Sequence, residues 1–393
     1  MIEIRQRSVT RVVPLVLATM TSQALLVVLS PTIAAIADEY GASVAAVGQA
    51  RTVAAATAIV ASLAITAKVS DIGTRRLLVV GSVLTLVACA AVAAAPNLAA
   101  FIVAHLLVGV GFACLLTAGF AGVAAFSGDD RPRAIGYVTG ANALAWIIVN
   151  PLVGALTQWF SWRVAQAVVA GFAIATLVSA RGTAAVPETR QALRWRVLFA
   201  DRSARRWIVA ELLGYTCWTG LLTYVGAFFV ERLDTGEAAA GWLLAAGAAA
   251  YVAASTRTAG LVARLPRRSL VAGSALVMAG LLPVLLDSEA FGVAAAATLF
   301  CLIGLAAGIR TPVSSGLGLD QLPRHGSAMM AIRTGVTQSG YLLGAVVGGV
   351  VIGTAGYGAL GGVLGVGMVG SALLFLRVRD PGNGPSSPPG ERP

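Results

Sequence analysis

Charge is what this sequence has least of. Asp, Glu, Lys and Arg make up 11% of its 393 residues, against about 25% in an average globular chain, while 58% are hydrophobic. A soluble fold of this length cannot cover its surface with so few charges, which leaves a polytopic membrane protein. Histidine occurs twice and cysteine four times. Cys89, Cys114, Cys217 and Cys301 each lie inside an apolar run with no disulfide or metal-ligand spacing, so neither a metal centre nor a cofactor is implied. An enzyme embedded in the membrane would need a metal cluster, a nucleophile with its base, or paired acids. One intramembrane acid and two histidines supply none of these. The net charge of +11 would suit nucleic acid, but the basic residues are scattered over short segments and form no stripe interleaved with aromatics. No nucleic-acid partner is expected.

What is present is a series of apolar runs, at roughly 12–36, 44–66, 77–95, 98–126, 134–157, 164–180, 207–230, 238–262, 269–286, 290–318, 327–353 and 357–376. Each approaches the ~20 residues needed to cross a bilayer, which predicts twelve transmembrane helices in an all-α protein. The first run follows a basic N-terminus, yet is too long for a cleaved signal peptide, so it reads as a retained helix. Between runs two and three, Ile65–Val80 gathers Lys68, Asp71, Arg75 and Arg76 into what reads as a loop. The long connection 181–206 carries seven arginines and divides the chain into 1–180 and 207–376, six spans each. Residues 377–393 are rich in Pro, Gly and Ser and read as a disordered tail. With both termini in the cytoplasm, the two outer-loop cations are Arg163 and Arg232. Four more (Arg51, Arg257, Arg310, Arg333) lie within spans, and the other 22 of 28 fall on the cytoplasmic side. The opposite orientation violates the positive-inside rule, and the chain is expected in the cytoplasmic membrane.

The halves repeat. Gly109 matches Gly304, Gly154 matches Gly348, and Ala67 matches Gly260, at offsets of 195, 194 and 193. Arg264 then stands where the first copy has Asp71. Internal repeats with a substrate site near midplane are a feature of secondary transporters.

Three motifs carry a more specific resemblance. AKVSDIGTRR keeps Asp71, Arg75 and Arg76 of a Gly-x-x-x-Asp-Arg-x-Gly-Arg-Arg loop, with Ala67 for the first Gly and Gly73 one place early. HLLVGVG keeps Gly109 and Gly111 of Arg-x-x-x-Gly-x-Gly, with His105 in the Arg position. WIIVNPLVG keeps Pro151 and Gly154 of Gly-x-x-x-Gly-Pro-x-x-Gly, with Trp146 and Asn150 for glycines. On these residues the chain resembles the major facilitator superfamily, and within it the twelve-span drug:proton antiporters. The resemblance implies two pseudo-symmetric six-helix bundles, with helices 1, 4, 7 and 10 central and 2, 5, 8 and 11 flanking. It also implies a monomer and a conformational latch in the loop holding Asp71 and Arg75.

Polar residues within the spans are the candidates for the pathway, because each is costly in lipid. Arg51, His105, Asn142, Trp146, Asn150, Glu211, Tyr215, Trp218, Arg310, Arg333 and Gln338 make up the set. Arg51 has Asp38 and Glu39 as its nearest acids in sequence. Glu211 is the expected partner for Arg310 and Arg333, and Arg257 is close enough to a span end to snorkel. His105 is the expected proton carrier, because its unperturbed pKa lies near physiological pH, with Glu211 next. Asn142, Trp146 and Asn150 share one helix face. The function read from all this is proton-coupled export of a small organic molecule. An importer or facilitator of a small organic anion or metabolite is the alternative, and a non-transporting receptor or scaffold a remote one.

Overall fold

A helix satisfies its backbone hydrogen bonds within itself, which is the solution lipid leaves open to a single apolar run. In the computed structural model, which describes residues 2–128, 130–182, 200–322 and 326–380, every regular element among the described residues is helical. Arg190, Arg194 and Arg196 of the linker, His325, the tail beyond residue 380 and the side chain of Asp71 lie outside what is described.

Among the described residues, eleven helical runs are long and apolar enough to cross a bilayer. The first, Arg11–Glu39 (α1), breaks at Val28. Pro31 accounts for the break, since it returns no N–H to the Val27 carbonyl and its ring crowds that oxygen. Then follow Val44–Ile72 (α2), Thr74–Ala93 (α3), Leu98–Ala121 (α4), Asp130–Trp159 (α5) and Trp162–Ser179 (α6). The second half holds Arg202–Leu233 (α7), Glu237–Ser255 (α8), Arg267–Leu286 (α9) and Gly292–Leu319 (α10).

The last run, Gly326–Leu376, is 51 residues long and turns at Gly356, whose φ of 81° suits glycine. Contacts with α7 show that its limbs run in opposite directions. Along 326–355 (α11), Gly340, Gly344 and Gly348 meet Tyr215, Gly220 and Tyr224 in ascending order. Along 357–376 (α12), Tyr357 bonds Glu231, Gly367 abuts Cys217 and Ser371 bonds the Ala210 carbonyl, in descending order. The last of the eleven runs therefore holds two antiparallel limbs.

Three boundaries differ from the sequence reading. The loop expected between spans two and three is a single residue, Gly73 at φ 74°, because α2 continues through the charged segment to Ile72. Glycine one place early in the motif sits where the left-handed backbone is needed. The helix of span seven starts at Arg202, so Arg202, Arg205 and Arg206 belong to its first turns and not to the linker. Ordered chain also continues to residue 380: Arg379 donates from its backbone N to Ser203 Oγ, and Asp380 accepts from the Arg268 backbone N–H.

The internal repeat is visible as duplicated contacts. A methyl group added at Gly109 would overlap the Ala54 carbonyl of α2, and one at Gly304 would overlap the Gly247 carbonyl of α8. Offsets of 195 and 193 relate the two sites. At the end away from the termini, Trp162 donates to Glu39 (2.5 Å) and Tyr357 to Glu231 (2.7 Å), offsets of 195 and 192. Each ring also carries a cation, Arg163 over Trp162 at 4.4 Å and Arg232 over Tyr357 at 5.8 Å.

The halves meet mainly in the part of the molecule away from the termini. Ser30 of α1 donates to the Leu222 carbonyl of α7. Gln49 of α2 reaches the Ala345 carbonyl of α11 at 3.4 Å. Gly154 of α5 lies against the Glu237 carbonyl of α8, and Gln158 accepts from the Ala238 N–H at 3.0 Å. Nearer the termini the same helices are loose: Gly136 and Gly140 of α5 and Gly335 of α11 have no neighbour within 4 Å of an added methyl.

Candidate functional site

Four charged side chains, each with an unsatisfied polar atom, organise the membrane interior. Arg51 is 2% exposed; its Nη2 donates to the Leu26 carbonyl at 2.6 Å, while Nη1 has no partner. It does not pair with Asp38 or Glu39. Glu39 instead receives Trp162 and Arg163, the latter at 2.6 Å. Helix geometry explains the correction, since the acids end α1 at the loop while Arg51 is seven residues, ~10 Å, along α2. Its guanidinium faces the Tyr341 ring of α11 at 5.7 Å. Arg51 thus bridges the halves of the molecule.

The second group lies within the C-terminal half. Glu211 Oε2 accepts from Arg310 Nη2 at 3.0 Å and from Ser314 Oγ at 2.9 Å, with both charged side chains enclosed. Glu211 Oε1 and Arg310 Nε have no partner. Gly214, one turn from Glu211, leaves the space that the Arg310 guanidinium fills. Arg310 and Arg333 both approach the Tyr215 ring, at 5.6 and 5.8 Å, and Arg333 donates to the Tyr215 hydroxyl at 2.9 Å. Arg333 forms no ion pair among the described residues, and its Nε is unsatisfied. One carboxylate therefore pairs with one guanidinium, and two more, Arg51 and Arg333, make no ion pair among the described residues. Such an interior favours an anion, whose oxygens would meet orphaned N–H groups.

Around these charges stand the other expected residues. Trp218 stacks on Tyr251 at 6.4 Å, and Gln338 is buried on α11. Trp146 donates to Gln23 of α1 at 3.2 Å, and Asn150 donates to the Trp146 carbonyl at 2.7 Å, leaving its own Oδ1 unpartnered. Asn142, eight residues before Asn150, is half-buried. Asn150 and Pro151 lie where α8 crosses α5, with Gly241 against the Asn150 carbonyl. Arg75 and Arg76 are exposed at the start of α3, and Gly111 lets α4 approach Thr85 of α3.

His105 lies on α4, within the N-terminal half. Its Nδ1 pairs with the Phe101 carbonyl at 2.8 Å and its ring lies 4.5 Å from that of Phe101. The void beside it is about 10 Å³, lined by Leu25, Cys89, Phe101 and Gln166 among others, all within the N-terminal half. That is about the least room one water requires. Arg257 is exposed beyond the end of α8, where it bonds the Ala253 carbonyl.

Sequence reasoning did not single out Gln23, Tyr251, Ser314 or Trp207. Tyr251 was open to discovery as an aromatic on a flanking span. Ser314 is disguised, because serine is unremarkable in an apolar helix, yet it holds Glu211 and accepts the Trp207 indole N–H at 3.2 Å.

The profile of the Major Facilitator Superfamily matches residues 15–238 and 213–393. The chain belongs to that superfamily. Its members are transporters and not enzymes. Among solved structures, its fold is similar to that of a D-xylose–proton symporter, with a TM-score of 0.75, 14% identity, and coverage of 95% of this chain and 98% of that one. At that identity the likeness concerns the fold alone. A search of curated proteins finds no match.

Proposed function

We propose that this facilitator is a monomeric secondary transporter that moves a small organic anion together with a proton by alternating access. Its termini lie in the cytoplasm, and its bilayer is the cytoplasmic membrane. The observation that carries the reading is the Glu211–Arg310 pair beside two guanidiniums, Arg51 and Arg333, that have no ion pair among the described residues. A deprotonated Glu211 occupies Arg310. Protonation of the carboxylate releases the guanidinium, and an anion then takes the vacated place. Proton and anion therefore favour each other's binding, and linkage makes the effect reciprocal. That sign is co-transport, and under an inward proton gradient it is uptake. His105, enclosed within one half of the molecule, is not needed in this cycle.

Contact concentrated in one half of the bundle interface supports alternating access. With the termini inside, the shape corresponds to a carrier closed to the exterior. Export by proton exchange is the second reading, favoured by Pro151 and Gly154 where α5 meets α8. The two are separated in proteoliposomes loaded with a pH-sensitive dye while a set of small carboxylates and lipophilic cations is presented. Co-transport acidifies the lumen as anion enters, and exchange makes it alkaline. Glu211→Gln should abolish accumulation driven by ΔpH and leave substrate counterflow, whereas His105→Asn should keep both. Lipophilic cations as the best substrates, together with normal accumulation by Glu211→Gln, would overturn the proposal. Binding without any flux would indicate a receptor.

A further inference from the structure

We infer that the groove between the first turns of α7 and the end of α12 holds the headgroup of an anionic phospholipid. This depends on the chain being a membrane protein and not on the substrate or its coupling. The groove has a volume of about 400 Å³ and is lined by Arg202, Arg205, Arg206, Val209 and Leu374. The four residues from α7 stand at i, i+3, i+4 and i+7, so they form one stripe along the helix. The opposite stripe, with Ala204, Trp207, Ala210 and Glu211, is buried.

Charge and order along the stripe name the occupant. All three arginines are exposed, and among the described residues none has an acidic partner. Arg206 is steadied by the Arg377 carbonyl at 3.2 Å, while Arg202 and Arg205 make no side-chain hydrogen bond among the described residues. The adjacent acid, Asp201, is engaged with the Ser203 and Ala204 N–H groups as the helix cap, and Asp380 with the Arg268 N–H. Unpaired guanidiniums so grouped match phosphate, which they can bind in bidentate fashion.

The floor is apolar. Val209 lies about 10 Å further along α7 than Arg202 and is 48% exposed, with Leu373 and Leu376 exposed on α12 beside Leu374. A soluble anion gains nothing from that floor. A phospholipid places its phosphate on the arginines and an acyl chain along Val209 and Leu374. Basic pockets between helices at the membrane surface bind anionic headgroups in this way.

The test places the full chain in phosphatidylcholine nanodiscs titrated with phosphatidylglycerol and reads, by native mass spectrometry, the lipid retained after transfer to detergent. Wild type should retain phosphatidylglycerol in preference to phosphatidylcholine, less so as salt is raised. Replacing all three residues, R202A/R205A/R206A, should weaken retention roughly a hundredfold, at about fivefold per arginine. The triple lysine variant should recover most of it. Should the alanine variant fail to fold, Arg205→Glu alone should lose the preference. Equal retention by wild type and either charge variant would overturn the proposal. So would displacement of the lipid by inorganic phosphate at equal concentration, which would mark a site for free anions.

Discussion

Glu211→Gln is the substitution that tests most of the charge reasoning. It keeps the size of the side chain and an oxygen for Ser314, but leaves Arg310 as an enclosed cation with no counter-charge. At 3.0 Å and an effective dielectric constant of about 20, the gross attraction lost is on the order of 5 kcal/mol. Part of this returns because the neutral amide no longer has to be desolvated as an ion. Breaking one side of a buried pair typically costs about 3–5 kcal/mol, and the retained Ser314 bond places the expectation near the lower figure, about 3 kcal/mol. Removing both charges in Glu211→Gln/Arg310→Gln should recover more than half of the loss, since no ion is then left unpaired. The assay is thermal unfolding of the purified protein, wild type, both single variants and the double, arranged as a double-mutant cycle. Melting of Glu211→Gln at the wild-type temperature, or a double variant as unstable as the two singles added together, would refute the pairing.

Packing and transport give further tests. Gly109→Ala and Gly304→Ala should each destabilise by about 1–3 kcal/mol, because a methyl at either site meets a backbone carbonyl that cannot move aside. Gly136→Ala, in open space, should be neutral or stabilising by up to about 1 kcal/mol, and thermal unfolding compares all three. Arg51→Ala should weaken anion binding roughly tenfold or more in counterflow titrations, the worth of one charged hydrogen bond, with little change for neutral compounds. Asp71→Asn should slow flux while substrate affinity stays within a few-fold, the signature expected of a latch; a large loss of affinity with normal folding would count against it.

Fold class and the twofold repeat were legible in the sequence because they rest on quantities summed over twenty residues at a time. Lipid demands a closed hydrogen-bond inventory over each crossing, and repeated glycines mark where helices touch. The pairing of Glu211 with Arg310 was legible too, since a single membrane carboxylate had few partners to choose from. Tertiary structure alone decided the rest, because it depends on which way a helix faces. One residue along a helix turns a side chain by 100°, and hydropathy does not register that angle. Hence the sequence places His105 at a family motif position, but only packing shows that it faces Phe101 and a void of about 10 Å³. Arg51, by contrast, reaches across to Tyr341 and leaves the nearby Glu39 to Trp162 and Arg163. Charges scattered along the chain become a site only where helices from both halves bring them together, and that is settled by packing.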